Sequence, residues 1–162
     1  SGEVRGMTWG EIDEKGAVWT VPAGRIKAGK EHRVPLSARA VELLNEMRLA
    51  GEVGFVFPGR RENTAMSNMA MLQLLKRMER PDLTVHGFRS TFRDWAAEQT
   101  NYPREVAEMA LAHTVGDKVE AAYRRGDLFE KRCRLMEEWA TYCATPRGQG
   151  GSVVAINSKT VA

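Results

Sequence analysis

At 162 residues, 43% hydrophobic and 28% charged, the chain is long enough for one domain with a real apolar core. Its composition is that of an ordinary globular protein rather than a collagenous, disordered or disulfide-stapled one. No apolar run approaches the roughly 18 residues that would span a membrane, and no signal peptide opens the chain. The two cysteines, Cys133 and Cys143, fit neither a disulfide framework nor a metal-ligand spacing, which points to a reducing compartment. The net charge is +3 and the isoelectric point about 9.0. The basic residues cluster at Arg25, Lys27, Lys30 and Arg33, at Arg60 and Arg61, at Lys76, Arg77 and Arg80, and at Arg124 and Arg125. Such a balance suits a polyanionic partner, although charged clusters are often only solvated faces.

In chain order, Thr8 to Asp13 reads as a short strand. The Glu14-Lys15-Gly16 turn leads to a second strand, Ala17 to Val21, and a basic loop over Gly24 to Glu31 precedes a third, His32 to Leu36. These make a small antiparallel sheet. Ser37 is a good N-cap, and Ala40, Leu43, Leu44 and Met47 recur at helical spacing up to Gly51. Phe55 to Phe57 is a short buried stretch stopped by Pro58-Gly59. Ser67 caps a helix with Met71, Leu74, Leu75 and Met78 on one face, ending before Pro81. From Val85 to about Gln99, Phe88, Phe92 and Trp95 form an apolar stripe, and Pro103 suits the first turn of a helix ending near His113. Two capping boxes follow: Asp117-x-x-Glu120 opens a short helix, and Asp127-x-x-Glu130 opens a longer one through Trp139. The Pro-Arg-Gly-Gln-Gly-Gly-Ser run beyond Thr145 reads as a disordered tail. The pattern as a whole predicts a mainly helical chain with one small sheet.

Four places carry residues suited to chemistry. His86 and Arg89 are three apart on a predicted helix, with Arg93 near the same line and the apolar stripe pointing away. That face suits an anion, though a solvated basic face has the same pattern. His113 follows the Met109-Ala110-Leu111 turn, where a histidine is usually a helix-end partner. Tyr123 precedes Arg124 and Arg125. A tyrosine of ordinary pKa, about 10, attacks poorly at neutral pH unless cations or a base favour its oxyanion. Lys27 lies between two predicted strands, where an exposed hairpin lysine is the plain expectation. The three histidines have no metal-ligand spacing.

In order and spacing these features match one family. Glu3, Trp9, Ile12 and Asp13 resemble the stretch after the first catalytic arginine of tyrosine site-specific recombinases, in which Arg-x-x-Glu precedes Trp-x-x-Ile-Asp. Arg25-Ile-Lys27 with His32-Arg-Val-Pro-Leu-Ser37 looks like that family's lysine-bearing hairpin, and His86-Gly-Phe-Arg89 is similar to its His-x-x-Arg box. Leu111-Ala-His113, followed ten residues later by Tyr123, matches its Leu-x-His…Tyr segment. The resemblance covers about residues 1 to 144 and leans toward the phage integrases of prophages and genomic islands.

The resemblance implies an α+β, mainly α-helical DNA breaking-rejoining fold over residues 1–144, with a three-stranded antiparallel sheet near the N-terminus and a flexible tail over 145–162. It implies DNA cleavage and rejoining through a 3′-phosphotyrosyl bond, without metal, cofactor or small-molecule substrate. Tyr123 would be the nucleophile, and Arg89, His113 and His86 would serve the phosphate. Lys27 would be the general acid, and Arg25, Lys30, Arg93 and Arg124 would contact DNA. The partners implied are double-stranded DNA and, in the full-length protein, a homotetramer on it, in the bacterial cytoplasm at the nucleoid. The family's first arginine would fall immediately before Ser1, so the chain is expected to be an impaired fragment, with Arg5 a poor substitute. The alternatives are a recombinase remnant that binds DNA without cutting it, and a type IB topoisomerase-like activity.

Overall fold

The computed structural model describes residues 1–49, 51–52, 54–113 and 126–145. The expected tail, the Asp117-x-x-Glu120 helix, Tyr123 and Arg124 lie outside the described residues. The architecture is α+β. A three-stranded antiparallel sheet, β1 Ile12–Asp13, β2 Val18–Val21 and β3 His32–Pro35, runs in the order β1-β2-β3. Its register pairs Ile12 with Trp19, and Trp19 in turn with Val34. The helices are α1 Gly2–Arg5, α2 Ala38–Leu49, α3 Ala70–Arg77, α4 Gly87–Glu98, α5 Arg104–Ala110 and α6 Phe129–Ala144.

The sheet and the helices build separate cores. In β2 the side chains alternate, so Trp19 and Val21 point inward together. They pack with Met7, Trp9 and Val56, while Leu44 and Met47 of α2 cover the edge of this cluster. Val56 is fully buried as the 55–57 stretch predicts, and its N–H donates to the Met7 carbonyl at 2.9 Å. The second core joins Phe92, Trp95 and Ala96 of α4 to Val106 and Ala107 of α5 and Leu135 of α6. Trp139 meets Phe92 edge-on, with ring centroids 5.3 Å apart. Burying an aliphatic side chain as completely as Val106 or Leu135 stabilises the fold by about 1.5–3 kcal/mol.

Several expectations change. The first strand shrinks to Ile12–Asp13, and Trp9–Glu11 winds into a 3-10 turn. The cause is Glu11, whose carboxylate accepts the Thr8 N–H at 3.3 Å and the Trp19 indole N–H at 3.0 Å. Thr8 bridges to Phe55 instead of continuing the strand. The apolar faces of α3 and α4 are only partly covered. Leu75 is buried while Leu74 and Met78 are exposed, and Phe88 is 54% exposed although Phe92 and Trp95 go inward. The last helix starts at Phe129 with Leu128 as its N-cap residue, one place later than the box predicts, although the Asp127 carboxylate accepts the Phe129 N–H at 3.2 Å, and it runs past Trp139 to Ala144. Among the described residues, no helix is long and apolar enough to cross a membrane.

Candidate active site

Helix α4 starts at Gly87, so His86 is its N-cap residue rather than a member of its first turn. The end of the helix is fixed by Thr84, whose hydroxyl and carbonyl both accept the Gly87 N–H at 3.0 Å. One turn in, Arg89 is half-buried, and its guanidinium donates to the Leu111 carbonyl. This bond crosses from α4 to the end of α5, the pair of helices that the aromatic core clamps together. The two sequence motifs meet at this bond: the arginine of His86-x-x-Arg89 sits on the backbone of Leu111-Ala-His113.

The end of α5 is shaped to present His113. Ala112 adopts a left-handed conformation, φ 54°. Its N–H donates to the Met109 carbonyl at 3.1 Å, and the His113 N–H donates to the Glu108 carbonyl at 2.9 Å. This pair of bonds is a Schellman turn, the usual way a helix satisfies its last carbonyls. His113 Nδ1 meets the Glu108 carboxylate. The other oxygen of that carboxylate takes Arg93 Nε at 2.9 Å and Arg104 Nε at 3.4 Å. Hydrogen bonding by His113, and then by Arg93, lowers the Glu108 pKa to about 2. Arg93, expected to contact DNA, thus also helps hold a carboxylate that is mostly covered.

Two groups from the quoted motif segments, Glu3 and His32, feel the charge of Arg89. Glu3 of α1 feels the Arg89 charge, although the main reason its carboxyl lies below the ordinary range is a bond to its own backbone. Among the described residues the buried Nε2 of His32 in β3 meets no partner within hydrogen-bond geometry, although the Ala110 backbone lies close enough to favour the protonated ring. Burial, and then the Arg132 charge, pulls its pKa down, with Arg89 adding a smaller push. Arg132 is 1% exposed, and each of its three guanidinium nitrogens donates a hydrogen bond. Nε donates to the Asp127 carbonyl at 2.8 Å, Nη1 to the Arg33 carbonyl at 2.7 Å, and Nη2 to the Asp127 carboxylate at 2.8 Å. Burial pushes the Asp127 carboxyl up, but the bonds and charges of Arg33 and Arg132 leave it below its ordinary value. This network pins β3 to α6 and to Asp127 just before it, and Asp127 is four residues along the chain from Tyr123.

Lys27 and Lys30 are exposed in the turn between β2 and β3, which the Gly29 N–H closes on the Ile26 carbonyl at 2.9 Å. Among the described residues no contact joins either lysine to Arg89 or His113. His86 is also exposed. Arg25 has a different use from the one its basic cluster suggests. Its guanidinium folds inward onto the Gly6 carbonyl and the Glu11 carboxylate. Gly6 makes room for it, since a Cβ there would lie 2.6 Å from Arg25 Nη1. Arg5 donates to the Met66 carbonyl at 3.2 Å. Among the described residues no cluster of His, Cys, Asp and Glu is grouped to hold a metal ion.

Glu108, His32, Arg132 and Asp127 are the members of this site that spacing does not reveal. Two of them lay inside features already noted, Asp127 at the head of a capping box and His32 at the start of the His32–Ser37 segment. Glu108 could have been marked by standing five residues before His113, just over one helical turn away.

Comparison with known proteins gives the arrangement a context. The model of the phage integrase family matches residues 1–129. The prophage integrase IntA of Escherichia coli (strain K12) is 38% identical over 135 residues, which are 82% of this chain and 32% of that protein. The prophage integrase IntZ of the same organism is 35% identical over 140 residues, 85% of this chain and 35% of that protein. The integrase of Enterobacteria phage P4 is 29% identical over 176 residues, 98% of this chain and 40% of that protein. The chain thus spans roughly a third to two fifths of the length of these relatives. No solved structure gives a significant match.

Proposed function

We propose, since this chain belongs to the phage integrase family, that it supplies the DNA-cleaving site of a tyrosine recombinase acting in prophage or genomic-island integration and excision. Tyr123 attacks a backbone phosphorus, forming a 3′-phosphotyrosyl ester as the 5′-oxygen leaves. The reverse attack by a 5′-hydroxyl of another strand releases the tyrosine and joins the new partner, so no external energy is needed. Arg89 and His113 meet the nonbridging oxygens, where negative charge builds up in the pentavalent transition state, and arginine's planar fork suits two of them. Lys27 protonates the departing 5′-oxygen, His86 assists at the phosphate, and Lys30, Arg93 and Arg124 meet the DNA backbone. The working form is a tetramer on double-stranded DNA.

The observation that carries this reading is the bond from Arg89 to the Leu111 carbonyl, which brings the arginine of one motif to the histidine of the next. Two such donors fixed before the substrate arrives need no reorganisation as charge develops. The test is covalent trapping on a nicked duplex. It uses a form of the chain extended upstream of Ser1 to include the arginine of the Arg-x-x-Glu pattern. The parent is expected to give a denaturant-resistant protein–DNA adduct, and Tyr123→Phe none, with duplex affinity unchanged. Adducts from the phenylalanine variant would overturn the assignment of the nucleophile. Binding without adducts from the parent would leave a DNA-holding module.

A further inference from the structure

We propose, resting on the reading above that His113 faces a DNA phosphate, that Glu108 is a positioning residue that keeps a proton on Nδ1 of His113, so that the ring donates to phosphate from Nε2 only as the imidazolium. Glu108 holds the histidine twice, since its backbone carbonyl takes the His113 N–H at 2.9 Å and its carboxylate takes the ring Nδ1. The ring therefore has a fixed direction as well as a fixed partner. The Glu108 side chain is 12% exposed and shares its charge with Arg93 and Arg104, and these bonds keep it ionised, with the pKa lowered to about 2.

An ionised carboxylate only accepts hydrogen bonds, so the nitrogen facing it must carry a proton. A neutral imidazole has one N–H, and here it sits on Nδ1. Its Nε2 then offers a lone pair, which repels a phosphate oxygen. Only the doubly protonated ring donates from both nitrogens at once. A carboxylate that orients a histidine by its other nitrogen is a known way of fixing ring tautomers. The charged groups around the pair come from both helices that meet here. Arg93 of α4 and Arg104 of α5 are on the Glu108 carboxylate, and Arg89 of α4 is on the carbonyl two residues before the imidazole. Helix α6 also packs on α5, but among the described residues none of its charged side chains is bonded to Glu108 or His113.

The 162-residue chain labelled with ¹⁵N tests this directly, through long-range ¹H–¹⁵N spectra of the histidine rings from about pH 5 to about pH 9. The His113 ring is assigned by its loss in His113→Gln. On the alkaline side of its titration, His113 of the parent is expected to carry its proton on Nδ1. In Glu108→Gln the amide can turn its NH₂ toward a bare Nδ1, and the ring proton is expected to move to Nε2. Arg104→Ala keeps the parent pattern, which separates the tautomer from any general loss of charge. A neutral parent ring protonated on Nε2, or a tautomer that Glu108→Gln leaves in place, overturns the proposal.

A second measurement follows affinity for a fluorescent duplex against pH. The parent is expected to lose about tenfold where His113 loses its second proton, the size of one charge-assisted hydrogen bond, whereas Glu108→Gln shows no such step. If the ring is locked but affinity ignores its titration, the phosphate role of His113 falls, while the hold of Glu108 on the ring stands.

Discussion

Arg89 stands on a helix and His113 on the turn that ends its neighbour, two helices that close over a shared aromatic core, whereas Lys27 and Lys30 stand on an exposed turn between two strands. The guanidinium of Arg89 is tied to a backbone carbonyl, and the imidazole of His113 is tied to a mostly covered carboxylate. Among the described residues, nothing ties the two ammonium groups. The contrast matches the two demands of a phosphoryl transfer. Charge on nonbridging oxygens is best met by donors already in place, because moving them during the reaction would cost what their bonds supply. A proton for a leaving oxygen is better delivered by a group that can reach the atom as it departs.

The sharpest way to break this contrast is to change the leaving group. An alkoxide, with a conjugate acid about as weak as water at pKa ~15–16, needs protonation as it leaves, and a positioned acid is worth about 10²–10⁴ in rate. A thiolate, from a thiol of pKa ~8.5, needs none. In the upstream-extended form, Lys27→Ala is expected to slow single-turnover cleavage of ordinary DNA by that factor and to recover nearly full rate on a 5′-bridging phosphorothiolate. Arg89→Ala should lose about 10²–10³ on both substrates, since its oxygens are not at the bridge. Equal losses for Lys27→Ala on both substrates would pass the acid role to Lys30 or His86.

A smaller effect is expected where the two regions are joined. Arg132 fastens strand β3 to the head of α6, and it is buried while the Asp127 carboxylate is half-exposed. The two partners should therefore be unequal. Asp127→Ala leaves a buried guanidinium short of its counter-charge, at a cost of about 3–5 kcal/mol. Arg132→Met leaves a carboxylate that water and Arg33 still satisfy, and the main loss is two carbonyls without donors, about 1–3 kcal/mol. Urea unfolding of the two variants gives the order, and an Arg132→Met variant less stable than Asp127→Ala would contradict the account.

These two joints were unequally visible in the sequence. The start of α6 after Asp127 and the strands on either side of the Lys27 turn follow from local signals, a capping box and alternation. The grouping of Arg89 with His113 was legible only through the order of motifs, since 22 residues separate Arg89 from the carbonyl it binds. Periodicity names the residues that share a face, but not whether anything covers it, and so Leu74, Met78 and Phe88 belong to the expected apolar faces and are nevertheless exposed. Polar residues were harder still. Glu11 bends a strand into a turn because its acceptors draw donors from Thr8 and Trp19. Arg25 turns inward for the same carboxylate. Arg132 is buried against the usual habit of arginine, which is rarely enclosed unless paired. Some of these partners are near in sequence, Thr8 to Glu11 and Asp127 to Arg132, but the Arg25–Glu11 pair spans 14 residues and the Arg132–Arg33 contact 99, and hydrophobic periodicity marks none of them.

The smallest expected effect lies in the turn that presents His113. Ala112 holds a left-handed backbone, φ 54°, between the two bonds that end α5. An L-residue in that region costs about 1–2 kcal/mol, because its Cβ crowds the following carbonyl. Glycine has no Cβ there, though it gives back part of the gain through the greater freedom of the unfolded chain. Ala112→Gly is therefore expected to stabilise the protein by about 0.5–1 kcal/mol, a rise of roughly 1–4 °C in Tm for a chain of this size. The side chain lost is one methyl group, half-exposed and outside both core clusters, so packing does not cancel the gain. Leu128 is the useful counter-case. It is also left-handed, at φ 53°, but its side chain packs against the helical core. There the same change should destabilise, by about 2–5 kcal/mol for the cavity, with the relief of strain offsetting only part of it. Thermal unfolding of the two variants reads the difference in sign. A fall in Tm for Ala112→Gly would mean that the turn holding His113 is relaxed with alanine in place, and that the firmness of this half of the site comes from Glu108 and the core alone.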